Sequence, residues 1–175
     1  MSILKVARMG HPVLRERAKP IEKSVLRKPL VQKLIDDMIE TMHEYHGVGL
    51  AAPQVHEGVR IFVGLLDDDP DTKSEAMVLV NPEIAAERDT REEGWEGCLS
   101  IPDIRGMVPR YTDIIVRALD RDARQLELRL KGFPARVAQH EADHLDGVLF
   151  FDRMTSMETL TYLDEYSKYW AKEED

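Results

Sequence analysis

Two histidines and a glutamate stand at metal-site spacing in residues 139–147, where His140, Glu141 and His144 form the pattern His-Glu-x-x-His. Residues four apart on a helix share a face, so both imidazoles can point at one metal ion, with Glu141 at the edge of that face. The metal needs neutral nitrogen ligands, and the water that it acidifies needs a nearby base. The pattern predicts a hydrolytic metal site that still lacks a third ligand. A helix that merely carries two histidines is the alternative.

The only cysteine, Cys98, is the candidate for that third ligand. It lies between glycine and leucine near a predicted strand, from which a thiolate could reach the two histidines. A buried, unreactive cysteine is the alternative, because cysteine also packs as a small hydrophobic residue. A single cysteine excludes an intramolecular disulfide and fits a reducing compartment.

A run of small residues at 47–53 is followed by Gln54. Glycine and alanine allow another backbone to approach closely, so this run could be the rim against which a peptide lies, with the Gln54 amide as a donor. Its glycine spacing matches neither the dinucleotide fingerprint nor the phosphate-loop pattern.

The elements that must position these residues follow from hydrophobic periodicity. Apolar residues recur at three- and four-residue steps over 29–45, which predicts an amphipathic helix. Pro134 and Gly147 bound a helix around the histidines, and a capping pattern predicts a C-terminal helix over about 156–172. Strand-like runs occupy 60–66, 77–80, a stretch from 94, 111–119 and 124–130, the last two forming a hairpin.

We therefore expect an α+β fold in which antiparallel or mixed sheets surround a central metal-binding helix, with an N-terminal amphipathic helix and a C-terminal helix. The length of 175 residues suits one domain over 1–175. Lys plus Arg number 24 against 33 Asp plus Glu, and the net charge of -9 argues against broad binding to nucleic acid or an anionic membrane. With neither a membrane span nor a targeting sequence recognised, we expect a cytoplasmic protein.

Three segments in order, 47–54, 96–100 and 139–144, closely resemble the motifs of the peptide deformylases. These metal hydrolases remove the formyl group from the N-terminal methionine of newly made bacterial and organellar proteins. The similarity extends from about residue 10 to residue 151. The resemblance implies metal binding by Cys98, His140 and His144, with Glu141 as general base and then acid. It also implies that Gln54 and the backbone N–H of Leu99 stabilise the oxyanion.

The resemblance further implies a substrate channel beside these groups. Gly49 would bind the substrate main chain as an added strand, and Arg105 would flank the channel. An apolar pocket for the methionine side chain would be formed by Val48, Phe133 and Val137. The expected site also includes Glu96, which with Arg110 matches charged positions that brace the cysteine-bearing segment.

Ferrous iron is the metal that the resemblance implies, with zinc, nickel or cobalt as alternatives. The expected partners are N-formylmethionyl nascent peptides, and we expect a monomer. Family members can carry a basic C-terminal helix suited to a transient ribosome contact. Here the segment has only Lys168 and Lys172 as basic residues, against Glu158, Asp164, Glu165 and an acidic tail. This balance of charge does not favour a ribosome contact.

Two other functions remain as alternatives from the residues. A peptidase with the same helix motif would take a carboxylate or a third histidine as its remaining ligand, and no histidine follows His144. A binding module without catalysis would not need the base Glu141. Release of formate from formyl-Met-Ala-Ser, against cleavage of an unblocked peptide, separates these possibilities.

Overall fold

A computed structural model describes residues 2–67 and 75–171 of the chain. The described helices are α1 (Lys23–Leu26), α2 (Pro29–Glu44), α3 (Gly132–Leu145) and α4 (Leu163–Tyr169). The described strands are β1 (Gly49–Ala51), β2 (Ile61–Gly64), β3 (Met77–Ala86), β4 (Arg91–Cys98), β5 (Ile101–Tyr111), β6 (Asp113–Leu119), β7 (Gln125–Lys131) and β8 (Thr161–Tyr162). Short 3-10 turns span Pro12–Arg15, Ala52–Val55, Phe150–Arg153 and Met157–Thr159. Antiparallel sheets and helices together confirm the α+β class.

The larger sheet has the strand order β1-β2-β3-β6-β7, with each neighbouring pair antiparallel. Successive residues of β2 point to opposite faces, as the pleat requires. Phe62 belongs to the apolar cluster that contains Val137 of α3, whereas Ile61 belongs to the cluster that contains Met38 of α2. The sheet therefore separates α2 from α3 and supports both helices.

The smaller sheet has the order β4-β5-β8 and carries Cys98 at the end of β4. Cys98 packs in a third apolar cluster with Leu14, Val108 and Phe150. A register shift between Glu96 and Cys98 interrupts the regular pairing of β4 with β5. Such irregularities redirect side chains.

The two long helices follow the residue patterns that form them. α2 begins with Pro29, whose missing N–H costs nothing at a first helical position, and it buries Ile35, Met38 and Met42. α3 begins at Gly132, two residues before Pro134, and its buried residues include His140, Glu141 and His144. Among the described helices, none is long and apolar enough to cross a bilayer.

Up to residue 171, where the described part of the chain ends, the C-terminal segment differs from the helix predicted over about 156–172; residue 172 lies outside the described residues. A 3-10 turn at Met157–Thr159 is followed by β8, and α4 occupies Leu163–Tyr169 alone. Thr161 pairs with Arg105 and Tyr162 pairs with Ile104 of β5. Threonine and tyrosine favour strands, and the free edge of β5 offers hydrogen bonds that a helix there would forgo. Tertiary pairing thus overrides the helical periodicity.

The strands also differ in extent from the sequence prediction. β1 is a strand at the place where only a peptide rim was predicted, and β3 continues past residue 80 to Ala86. β6 and β7 form the predicted hairpin, in which Leu119 pairs with Gln125. Its turn is fixed by Asp120, whose carboxylate accepts hydrogen bonds from the backbone N–H groups of Asp122 and Arg124.

Gly147 lies two residues beyond the end of α3. Replacing it tests how tightly that end of the helix is constrained. Its φ is +73°, and an added Cβ would lie 2.7 Å from the carbonyl oxygen of Arg15. We expect Gly147→Ala to lower the free energy of unfolding by about 2 to 4 kcal/mol, from the left-handed backbone and the contact with Arg15 together. Urea unfolding measures this loss.

Gly58→Ala is the matched control, because Gly58 has no positive φ and an added Cβ would meet nothing within 4 Å. It should change the free energy of unfolding by less than about 1 kcal/mol. Equal losses in the two variants would contradict this account of Gly147.

Candidate metal centre and substrate cleft

Three potential ligands from two elements meet in the interior. Sγ of Cys98, at the end of β4, lies 3.3 Å from Nε2 of His144 on α3. One ligand atom from each of Cys98, His140 and His144 lies within 4.8 Å of the other two. One sulfur and two imidazole nitrogens suit zinc, iron or nickel, and three protein ligands leave a coordination position for water or substrate. The donor set therefore fits a catalytic metal.

Mutual interactions shift the pKa values of two of these groups in opposite directions in the metal-free protein. Burial acts to raise the pKa of the Cys98 thiol, but positive charge on His144 and hydrogen bonds from both histidines outweigh it and hold the pKa well below its usual range. The thiolate is the form that binds a metal. The pKa of His140 lies well above its usual range, because Cys98 and Glu96 outweigh the opposing effect of burial.

Glu96 orients His140. Its Oε2 lies 2.8 Å from Nδ1 of His140, which leaves Nε2 of that ring for a metal. A carboxylate on the far nitrogen of a ligating histidine fixes the tautomer and raises the basicity of the ligand. Nδ1 of His144 is buried and has no hydrogen-bond partner among the described residues.

Glu96 is itself held by buried arginine. Arg110 on β5 donates from Nε and Nη2 to the two carboxylate oxygens of Glu96, at 2.8 and 3.0 Å. Its Nη1 donates to Asp143 of α3 at 2.6 Å, and Arg153 donates to the same carboxylate. Burial alone would raise the pKa of Glu96, but the hydrogen bonds from Arg110 and His140 lower it to about 2. Glu96 is therefore ionised at neutral pH.

Arg136 is a second partner of Glu96 that the sequence prediction missed. Its Nη1 donates to Oε1 of Glu96 at 2.9 Å and to the carbonyl of Val108 at 2.7 Å. A Cβ at Gly94 would meet the Arg136 guanidinium at 2.8 Å, so this glycine leaves the room for that side chain. Arg136 precedes His140 by four residues, and this shared helix face is the signal that could have identified it.

Glu141 is buried beside the three donors. Burial raises its pKa to about 7, against the opposing effect of His140 and His144. Its Oε2 has no hydrogen-bond partner among the described residues. A Cβ at Gly49 would lie 2.7 Å from Cδ of Glu141, so the carboxylate occupies the space that a side chain at residue 49 would need. A carboxyl group with such a pKa can both accept and donate a proton near neutral pH.

Gln54 points its amide nitrogen at the cysteine. Its Oε1 accepts a hydrogen bond from the backbone N–H of Ala51 at 2.8 Å, which fixes the orientation of the amide. Nε2 then lies 3.5 Å from Sγ of Cys98 and 3.2 Å from Oγ of Ser100.

A cleft of about 600 Å³ brings most of the predicted site residues together. The predicted members that line it are Val48, Gly49, Gln54, Glu96, Cys98, Leu99, Arg105, Phe133, Val137, His140 and Glu141. Val137 is buried, whereas Val48 and Phe133 are exposed at the rim. His144 is not among the residues that line the cleft, but it contacts Sγ of Cys98, and its ring lies 4.9 Å from that of His140. Arg110 and Asp143 lie outside the cleft, and the cleft also includes Trp95 and Leu163, which the sequence prediction missed.

Two of the predicted substrate residues have further contacts in the structure. The Glu96 carboxylate forms ion pairs with Arg110 and Arg136 and contacts Nδ1 of His140. The Arg105 side chain lies over Gly97, where an added Cβ would collide with its guanidinium. Arg105 therefore covers the backbone directly before Cys98.

Comparisons with known proteins agree with one another. The family model described as polypeptide deformylase matches residues 3–160. A protein named peptide deformylase 2 from Nostoc sp. is 40% identical over 97% of this chain and 96% of its own length. A peptide deformylase from Dictyoglomus thermophilum is 46% identical over 86% of this chain and 92% of its own length.

Solved structures give the same result. A class I type b peptide deformylase from Acinetobacter baumannii with bound Met-Ala-Ser is 40% identical, with a TM-score of 0.82 over 88% of this chain and 100% of that chain. The peptide deformylase from Thermotoga maritima is also 40% identical, with a TM-score of 0.81 over 89% of this chain and 100% of that chain.

Replacing the Glu96 carboxylate tests its role behind the metal ligands. Glu96→Gln would remove one of the two carboxylates paired with Arg110 and the carboxylate paired with Arg136, and it would weaken the hold on His140. We expect metal affinity to fall about 10- to 100-fold. The metal-free protein should lose about 3 to 5 kcal/mol of unfolding free energy, the cost of breaking a buried ion pair. Chelator competition and urea unfolding measure the two effects.

Glu93→Gln is the control, since Glu93 lies on the same strand and is exposed. Neither quantity should change in that variant. Unchanged metal affinity in Glu96→Gln would show that Glu96 does not support the ligands.

Proposed function

The chain belongs to the polypeptide deformylase family, and on that premise we propose that Glu141 performs the proton transfers of its reaction. The protein is a metal-dependent hydrolase that removes the N-formyl group of N-formylmethionyl peptides and releases formate. The proposal concerns which residues do this and how. One observation carries it: the Glu141 carboxylate, whose Oε2 has no hydrogen-bond partner within the described part of the chain, lies in a cleft beside one thiol and two imidazoles.

The metal ligands in this proposal are Cys98, His140 and His144. A divalent ion bound there would supply a Lewis acid that lowers the pKa of a water molecule. The mutual proximity of the three donor atoms and the support of His140 by Glu96 favour this assignment.

Glu141 moves the proton. Hydrolysis adds a water oxygen to the formyl carbon, breaks the carbon–nitrogen bond and leaves formate and an amine. Glu141 accepts a proton from the attacking water and delivers it to the amine nitrogen as that bond breaks. Its pKa of about 7 makes both transfers possible near neutral pH.

Gln54 and Leu99 stabilise the negative charge that develops on the formyl oxygen. Nε2 of Gln54 is held toward Cys98 by the bond from Ala51 to its carbonyl oxygen, so the donor is oriented before substrate arrives. The backbone N–H of Leu99 follows the cysteine directly. Donors fixed in advance stabilise a transition state more than the substrate, because they need no reorganisation.

The substrate lies extended between two strand edges. Among the described strands, β1 is an edge strand of the larger sheet and β4 is an edge strand of the smaller sheet. Both strands contribute residues to the cleft. A peptide inserted between such edges gains main-chain hydrogen bonds without regard to its sequence. Gly49 supplies main-chain contacts on one side, and Arg105 flanks the other. The methionine side chain enters the pocket of Val48, Phe133 and Val137.

We further propose that residues 1–175 form one domain that acts as a monomer in the cytoplasm, where nascent formylated peptides arise. One chain contributes all the proposed ligands, donors and pocket residues, so the site needs no second copy. The first turn of α4 is acidic, with Asp164 and Glu165, which does not favour binding to ribosomal RNA. Any ribosome contact would be transient.

Replacing Glu141 tests the proposed proton transfer. Glu141→Gln keeps the size of the side chain but cannot accept the proton, so formate release from formyl-Met-Ala-Ser should fall at least about a hundredfold. Metal content and thermal stability should stay close to those of the unchanged protein. Glu44→Gln, at an exposed position of α2, should have full activity. Near-normal turnover in Glu141→Gln would refute the assignment.

We propose ferrous iron as the native metal, with zinc, nickel or cobalt as substitutes. Oxygen can oxidise iron and then the coordinated thiolate of Cys98, whereas nickel does not follow this route. Enzyme prepared without oxygen should therefore lose most of its activity in aerated buffer, and catalase should slow the loss. Nickel-substituted protein should be spared. Equal decay of the iron and nickel forms, at confirmed metal content, would contradict this prediction.

A further inference from the structure

A fully buried serine contacts the amide of Gln54. Ser100 lies two residues after Cys98, in the turn between β4 and β5, and is 0% exposed. Its Oγ accepts a hydrogen bond from Nε2 of Gln54 at 3.2 Å. A hydroxyl group that is removed from water needs such a partner, because burying it unpaired is costly. Ser100 and Gln54 therefore form a buried polar pair next to the cysteine.

Three polar groups surround the Gln54 amide. Its Oε1 accepts from the backbone N–H of Ala51 at 2.8 Å, while Nε2 lies 3.2 Å from Oγ of Ser100 and 3.5 Å from Sγ of Cys98. The amide nitrogen carries two N–H groups, so each of the two acceptors can receive one of them. The N–H on the side of Cys98 is then the one that a reacting formyl oxygen would meet.

The hydroxyl of Ser100 fixes the end of the amide that Ala51 does not hold. The hydrogen bond from Ala51 holds Oε1 only, and the terminal torsion of a glutamine side chain has a broad range. The bond to Ser100 holds the nitrogen as well, so both ends of the planar amide are fixed. A donor that is oriented in advance stabilises developing charge better than one that must turn toward it.

The N-terminal segment fixes the backbones of Gln54 and Ser100 relative to each other. The backbone N–H of Ala7 donates to the carbonyl of Gln54 at 2.7 Å, and that of Met9 donates to the carbonyl of Ser100 at 2.8 Å. Residues that are 46 positions apart are thus joined through two residues of one short segment. These bonds do not involve the Ser100 side chain, so the backbone can keep its place when the hydroxyl is removed.

We propose that Ser100 is a positioning residue for the reaction, which keeps the second N–H of Gln54 aimed at the formyl oxygen. It acts through Gln54 and not on the substrate. The inference rests on the proposed function and deepens it, because it explains how one of the two oxyanion donors is oriented.

Ser100→Ala removes the hydroxyl and leaves the backbone bond from Met9 in place. We expect kcat for formyl-Met-Ala-Ser to fall about five- to tenfold, the effect of one hydrogen bond that orients a donor in the transition state. KM should stay the same, because the substrate in its ground state does not depend on that orientation. Metal content should also stay the same. Steady-state kinetics and metal analysis measure these quantities.

A double-mutant cycle tests whether the effect passes through Gln54. Gln54→Leu alone should lower kcat about a hundredfold. Adding Ser100→Ala to Gln54→Leu should lower kcat no further, since the amide that the hydroxyl orients is gone. A further five- to tenfold loss in the double variant would overturn the proposal. Unchanged kcat, a rise in KM alone or a loss of metal in Ser100→Ala would overturn it as well.

Thr41→Val is the matched control, because Thr41 is also 0% exposed and its hydroxyl donates to the carbonyl of Asp37 within α2. Thr41 does not line the cleft. The control should have a lower free energy of unfolding but the same kcat and KM as the unchanged protein. Equal losses of kcat in Thr41→Val and Ser100→Ala would assign both to destabilisation and overturn the role of Ser100. Absence of formate release by the unchanged protein would instead refute the proposed function.

Discussion

The carboxylate of Glu96 is the point at which the smaller sheet of this enzyme is joined to α3. It lies on β4, accepts two hydrogen bonds from Arg110 of β5, and contacts both Arg136 and His140 of α3. Cys98 follows only two residues later on the same strand. The contact that aligns His140 therefore also fixes the strand that delivers the sulfur to it. This link fixes the position of β4, which carries the cysteine, relative to α3, which carries the histidines.

This link consists of buried charged side chains, and their opposite charges neutralise one another. Removing a carboxylate and a guanidinium from water is costly, and only complete hydrogen bonding offsets that cost. Arg110 meets the requirement with Glu96 on one side and Asp143 on the other. Because the pKa of Glu96 is lowered to about 2, its ion pair stabilises the fold at neutral pH and above the usual carboxyl pKa. That contribution is lost as the pH falls toward 2.

The metal ligands and the proposed base could be predicted from the sequence. Trp95 and Leu163 of the cleft could not, because only the fold brings them close to these groups. His140, Glu141 and His144 share a helical spacing, and Cys98 stands in a motif of its own, so their meeting could be predicted from pattern and family resemblance. Trp95 and Leu163 are distant in sequence and ordinary in type. They line the same cleft because β8 pairs with β5 and Tyr166 of α4 packs on Trp95, in a segment whose periodicity predicts a helix. Local propensity carries no information about a free strand edge elsewhere in the chain.

The glycines of the cleft make room for charged side chains as well as for a peptide. The sequence suggests that small residues at 47–53 allow a backbone to approach. At Gly49 the space belongs to the Glu141 carboxylate, at Gly94 to the Arg136 guanidinium, and at Gly97 to Arg105. Each charged group reaches the cleft by crossing a strand where no Cβ obstructs it. Side chains from α3 and β5 can thus act at the edges of β1 and β4, while the main chain of those edges is left to bind the substrate.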